Sequence, residues 1–310
     1  MKLGVFLAVY HDRPFEDALD RAVALGLDAV EIATGNYPGD AHCRPAELLA
    51  DVAAREEFRG ALERRGLEIS ALSQQGNPLH PDPAVATATH DVWRSTVQLA
   101  AALGVRVVNA FSGCPGDSDA AARPNWVTCS WPPDYPETMA WQWEEKVVPY
   151  WTAEARFAAD HSVTVGIEMH PGCVVYNPAT LVRLRDACGP AIAANFDPSH
   201  LFWQGIDPVV AIRHLAEHAA IVHVDAKDTA LDDAVIARDG VLETRPAGVT
   251  GDRAYRFRTI GDGHGDAVWR DMLLALQAAG YDSAISIEHE DRSLPPDEGV
   301  ERAVRFLRAL

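Results

Sequence analysis

Short apolar runs alternate with longer helical patterns from one end of the chain to the other, and this alternation constrains the fold most. "KLGVFLAV" reads as a strand. "PFEDALDRAVALG" follows as a helix, with Pro14 at its start and Gly26 at its end. "LDAVEIA", "LEISALS", "VRVVNAF", "VTVGIEM", "AIAANFD", "AAIVHVD" and "SAISIEH" repeat the strand pattern. Helical patterns lie between them: one unbroken helix over "PAELLADVAAREEFRGALERRG", one over "DPAVATATHDVWRSTVQLAAALG", and others near 138–160, 178–188, 207–218, 265–280 and 296–309. The strands are apolar throughout, as required when both faces of a parallel sheet are covered. Eight such units predict an α/β fold, the (β/α)8 or TIM barrel. A doubly wound open sheet is the other arrangement, but no G-x-G-x-x-G follows the first strand, so its dinucleotide-binding form has no support.

The chain has 310 residues, which suits one barrel of about 250 residues with insertions. A single domain over 1–310 is therefore expected. Two connections are long. Residues 112–137 are rich in Pro, Asp and Trp, and residues 226–264 include "ARDGVLETR", which reads as a hairpin about Asp239-Gly240. Both follow strands, so in a barrel both lie on the face where active sites are built.

Charge limits the partners. Lys and Arg number 27 against 45 Asp and Glu, a net charge of −18. Such a surface repels phosphate backbones and anionic lipid, so no nucleic acid and no membrane partner is expected. No stretch approaches the roughly 20 apolar residues of a membrane span, and "MKLGVFLAVYHDRP" lacks the form of a signal peptide. The five cysteines are scattered without a C-x-x-C, as expected of a cytoplasmic protein with free thiols.

The strand ends carry the chemistry. "IEMHPG" ends the fifth strand on Glu168 and His170. "NFDPSH" brings Asp197 and His200, "VHVDAKD" brings His223, Asp225, Lys227 and Asp228, and "IEHED" brings Glu288, His289 and Glu290. A lone strand-end His is ordinarily capped or solvated, and a lone acid often caps the next helix, the role Asp228 and Asp291 would take. Four successive strands converging on one rim make coincidence the weaker account. Glu168, Asp197, His223 and Glu288 would form a mixed oxygen and nitrogen site for one divalent cation, suiting Mn²⁺ best, with Zn²⁺, Mg²⁺ and Co²⁺ also admissible.

Together "IEMHPG", "NFDPSHLFWQGIDP", "HVDAKDT", "FRTIGDGHGD" and "SIEHED" resemble the sugar phosphate isomerase/epimerase family, xylose-isomerase-like barrels also related to endonuclease IV. "NPLHPD" at 77–82 resembles that family's loop after strand three. The resemblance implies a single divalent ion on Glu168, Asp197, His223 and Glu288. It implies that Glu168 and Glu288 form the acid/base pair and that His200 contacts substrate. Proton abstraction beside a carbonyl, through a metal-stabilised enediolate, then gives epimerisation or isomerisation of a small-molecule sugar or keto-sugar. His170 and Lys227 are candidates to polarise a substrate oxygen, with Lys227 alternatively paired to Asp225 or Asp228. His80, Arg258 and His264 are further substrate-binding candidates. Trp126 and Trp131 could wall a sugar or simply anchor their loop. Three alternatives remain: a 3-keto-glycoside lyase or deglycosidase on the same site, a non-catalytic sugar-binding barrel, and an endonuclease IV-like phosphodiesterase, which the charge disfavours. Barrels of this family often form homo-oligomers.

Overall fold

The computed structural model describes residues 1–246 and 251–310. Eight parallel strands close into a barrel: β1 (Lys2–Phe6), β2 (Ala29–Ala33), β3 (Glu68–Ser73), β4 (Val107–Phe111), β5 (Thr164–Glu168), β6 (Ile192–Phe196), β7 (Ile221–Ala226) and β10 (Ala284–Ile287), with β10 closing onto β1. The alternation read from the sequence is thus a TIM barrel. Strand periodicity sends every second residue inward. On β7 the inward positions are His223, Asp225 and Lys227, while Val224 packs outward with the apolar core.

The helices that cover the barrel start where side chains satisfy their free N–H groups. Asp82 caps α4 (Pro83–Leu103), Asn177 and Thr180 form a capping box on α7 (Pro178–Cys188), and Asp207 caps α9 (Pro208–Glu217). The helix expected to be unbroken over 45–66 is instead two, α2 (Pro45–Ala50) and α3 (Val52–Glu63). Asp51 leaves the helical region (φ −115°, ψ 104°), and its carboxylate accepts the N–H groups of Ala53 and Ala54. A good capping residue restarted the helix where periodicity predicted none of this.

The second long connection also differs from expectation. No hairpin turns about Asp239-Gly240. Residues Asp233–Asp239 form a helix, α10, capped by Asp232 and ended by Gly240 at φ +82°. The antiparallel pair is β8 (Asp228–Leu231) with β9 (Tyr255–Arg258), in the register Asp228↔Arg258. Residues 247–250 of this connection lie outside the described residues. Among the described residues, no helix is long and apolar enough to cross a membrane.

Candidate active site

Register determines which strand-end groups meet. Asn195 pairs with His223 and Phe196 with Val224, so the next inward pair is Asp197 with Asp225. Ile287 pairs with Ala226, which sets Glu288 level with Lys227. His223 therefore lies a full inward step below the rim. Its ring is held by Asn195 Oδ1 at 2.9 Å and Asn109 Nδ2 at 3.1 Å on one nitrogen, and by Ser70 Oγ at 3.1 Å on the other. The structure brings Glu168, Asp197 and Glu288 together but leaves His223 outside their set. A strand's inward step of two residues sets His223 below the rim, with its Nδ1 3.5 Å from Asp225 Oδ1.

The rim group encloses an ammonium. Lys227 Nζ lies 2.9 Å from Glu288 Oε2, 3.1 Å from Asp197 Oδ2 and 3.5 Å from Glu290 Oε2. Burial opposes its charge, but Asp197, Glu288, Glu290 and Glu168 outweigh burial and hold its pKa well above the usual lysine value. Its partners are these, not Asp225 or Asp228. Burial raises the pKa of Glu168 even against Lys227 and His170, and Gln75 Nε2 donates to its carboxylate at 3.2 Å. Burial also raises Glu288 well above the carboxylate range, helped by Glu290, Asp197 and Glu168.

The two histidines beside them are neutral bases. His200 Nε2 lies 3.2 Å from Asp197 Oδ2 and 3.4 Å from Glu168 Oε1. Burial lowers His200 to about 4 and His170 to about 3. Their rings stand 4.1 Å apart, centroid to centroid.

These groups floor a cavity of about 370 Å³ lined by Glu168, His170, Lys227 and Glu288, with Phe6, Tyr37 and Phe111 as its apolar wall. The tryptophans take no part in that wall. Trp131 is exposed, and Trp126 packs edge-on against Tyr176. Of the remaining candidates, Arg258 lines a second cavity, beside Asp291 at 3.2 Å. His80 and His264 are not brought to either cavity. His80 Nδ1 accepts the N–H of Asp82 in the turn before α4. His264 stacks on Phe202, and its Nδ1 is fixed 2.9 Å from Asp228 Oδ1. Asp228 itself accepts the backbone N–H groups of Gly261, Gly263 and His264, and Asp291 those of Thr259 and Ser293. Both acids clamp loops and cap no helix.

Below the rim lies a second group that sequence reasoning missed. Glu31 is wholly buried and accepts from Ser73, from Asn109 Nδ2 at 3.0 Å and from Ser286 Oγ at 2.7 Å. His223 and Asp225 complete it, with ligand-type atoms of all three within 4.8 Å of one another. Glu168, His170 and His200 make the corresponding group at the rim. "VEIA" placed an acid within the second strand, but only inward alternation read across strands would have joined Glu31 to His223.

The donor set can be tested against a divalent cation. Asp197 Oδ2, Asp225 Oδ1 and Glu288 Oε2 are buried without a hydrogen-bond partner, one from the end of each of three neighbouring strands. Asp225 is close enough to Glu168 and Glu288 for their charges to raise its pKa, on top of burial and Glu31. Lys227 offsets part of this charge, at 3.1 Å from Asp197 Oδ2 and 2.9 Å from Glu288 Oε2, but one ammonium leaves several buried carboxylates over, and these would be stabilised by a further cation. The set fits a hard, oxygen-preferring ion, with Asp225 in place of His223.

The sequence pattern of the xylose isomerase-like TIM barrel family matches residues 19–310. The chain is 36% identical to the uncharacterised protein YfiH of Bacillus subtilis over 99% of this chain and 98% of that one. Among solved structures, a probable 3-DHS dehydratase AsbF of Bacillus anthracis superposes with a TM-score of 0.69 at 15% identity, covering 99% of each chain. A D-tagatose 3-epimerase-like protein superposes with a TM-score of 0.67 at 19% identity, covering 100% of this chain and 98% of that one.

Proposed function

The chain belongs to the xylose isomerase-like TIM barrel family, and from that premise we propose that it is a sugar or keto-sugar isomerase or epimerase. The reaction is proton transfer at a carbon beside a carbonyl, through an enediolate. One observation carries this reading. Glu168 on β5 and Glu288 after β10 face a single cavity from strands separated by β6 and β7, and both have raised pKa values. Two carboxyls on opposite sides of a bound carbon can remove a proton from one face and return one to the other, or to the adjacent carbon. Burial raises both above the ordinary carboxylate pKa, which makes each a better proton acceptor than an exposed glutamate. Lys227, fixed between them, directs an N–H at a substrate oxygen, and His170 flanks the same space as a neutral hydrogen-bonding ring.

Glu168, Asp197, Asp225 and Glu288 are the residues that would hold a divalent cation. When bound, such an ion supplies Lewis-acid stabilisation of the enediolate oxygens. An all-carboxylate set favours Mn²⁺ or Mg²⁺ over Zn²⁺.

A keto-sugar panel incubated in D₂O tests the reading. Wild type is expected to exchange one substrate C–H for deuterium, and Glu168→Gln and Glu288→Gln to lose that exchange by 10²-fold or more, on the order of general acid/base contributions. Exchange that survives both variants would overturn it. Elimination of a neighbouring glycosidic substituent is the second reading, favoured by a second cavity of about 460 Å³ that shares His170 and Glu290 with the first. Release of an aglycone distinguishes it from an epimerase, which conserves mass.

A further inference from the structure

The second cavity departs from the charge of the whole molecule. Against a net charge of −18, it gathers Arg253, Arg256, Arg258 and Arg292 with only Glu290 and Asp291. Both acids are engaged. Asp291 serves Thr259, Ser293 and Arg258, and Glu290 faces Lys227. Arg253, Arg256 and Arg292 have no carboxylate within 4.0 Å among the described residues. The neighbouring residues 247–250, Ala-Gly-Val-Thr, carry no acid in their sequence. Arginines without a carboxylate partner occur elsewhere in the chain, Arg106, Arg123 and Arg156 among them, but here three of them share one cavity.

The cavity also has a shaped wall. Tyr255 stacks on Trp203 with ring centroids 4.7 Å apart and planes 3° from parallel. Phe257 stands edge-on to His200, and Lys227 Nζ lies 4.9 Å over its ring. Phe257 and His200 thus separate the reacting groups from the arginines, while His170 and Glu290 border both spaces. A substrate with its reacting carbons over Glu168 and Glu288 would extend past His170 towards guanidinium groups. Guanidinium is the side chain whose planar donors match phosphate or carboxylate oxygens in pairs.

We propose that this cavity is an anion subsite: the substrate carries a phosphate or carboxylate group remote from the reacting carbons, held by Arg256 and Arg292 with Arg253 behind them. The proposal rests on the reading of the rim as the reacting centre, and it names the substrate class that the rim alone leaves open. Linear spacing does not reveal this site, because the arginines converge only through the β8–β9 pair and the turn after β10.

Calorimetric titration with inorganic phosphate, and separately with glucuronate, tests it. Wild type is expected to bind at least one of the two probes. The double variant Arg256→Gln/Arg292→Gln is expected to bind at least tenfold more weakly with an unchanged melting temperature, and binding is expected to weaken as NaCl is raised. Phosphate alone would identify a phosphate ester, and glucuronate alone a sugar acid. No binding of either probe, or equal binding by wild type and the double variant, would overturn the subsite. So would binding that survives the double variant and is lost in Lys227→Met, which would place the anion at the rim. Anion binding without any C–H exchange in D₂O would leave the subsite standing and remove the isomerase reading, so the two failures are distinct.

Discussion

The barrel encloses two polar layers, and they are built in opposite ways. In the deep layer, Glu31 accepts from three side chains, and both nitrogens of His223 are engaged. In the rim layer, the carboxylates of Asp197 and Glu288 share one ammonium, Lys227 Nζ at 3.1 and 2.9 Å, and a cavity opens above them. Acids and histidines occur in both layers, so residue type alone does not mark a reacting centre. What distinguishes the rim is an excess of buried carboxylates over cations beside open space. Asp225 joins the layers: one oxygen accepts from Asn195 at 2.6 Å, while the other is unpartnered.

The comparison breaks most visibly at Lys227. Lys227→Met strands buried acids without their cation, and loss of one partner of a buried ion pair costs about 3–5 kcal/mol. A large fall in melting temperature is expected, partly restored by added Mn²⁺. A variant as stable as wild type without the ion would show that Lys227 is not the charge that holds the rim together. Glu31→Ala tests the deep layer. Leaving the donors of Ser73, Asn109 and Ser286 unpaired is expected to cost about 2–4 kcal/mol, with Mn²⁺ affinity little changed. Denaturant unfolding and metal titration read the two effects separately.

A smaller effect sharpens how the layers are packed. A Cβ at Gly166 would meet Asn109 Oδ1 at 2.3 Å, so the glycine inside β5 makes room for the amide that bridges Glu31 and His223. Gly166→Ala is expected to cost about 1–3 kcal/mol by overpacking, seen as a lower denaturation midpoint. A further test is pH. His170 has a folded pKa of about 3, depressed by burial, against about 6.5 when unfolded. The unfolded chain therefore binds the extra proton first. The stability from neutral His170 is full above pH 6.5 and falls away as pH drops towards 3. Relative to His170→Gln, wild type should lose melting temperature over that window and hold a constant difference above it.

The barrel was legible because periodicity is local: each strand announces itself as an apolar run, and eight of them admit few arrangements. The rim acids Glu168, Asp197 and Glu288 were legible for the same reason, as polar residues ending such runs. The level of His223, one inward step below those acids, was not legible, because linear spacing does not show how far one strand is staggered against the next. Glu31 escaped, and of the arginine group only Arg258 was singled out, because both assemble from distant segments. The restart of the helix at Asp51 was written in a capping residue and overlooked beneath a strong helical period.

Mn²⁺ binding to wild type, Asp197→Asn, Asp225→Asn and His223→Asn is the most direct test that the acid-rich rim, and not the layer beneath it, is the reacting centre. The account predicts that wild type binds the ion, that both aspartate variants lose it, and that His223→Asn keeps it while melting at a lower temperature. Loss of the ion in a folded His223→Asn variant, with binding retained in Asp225→Asn, would contradict it.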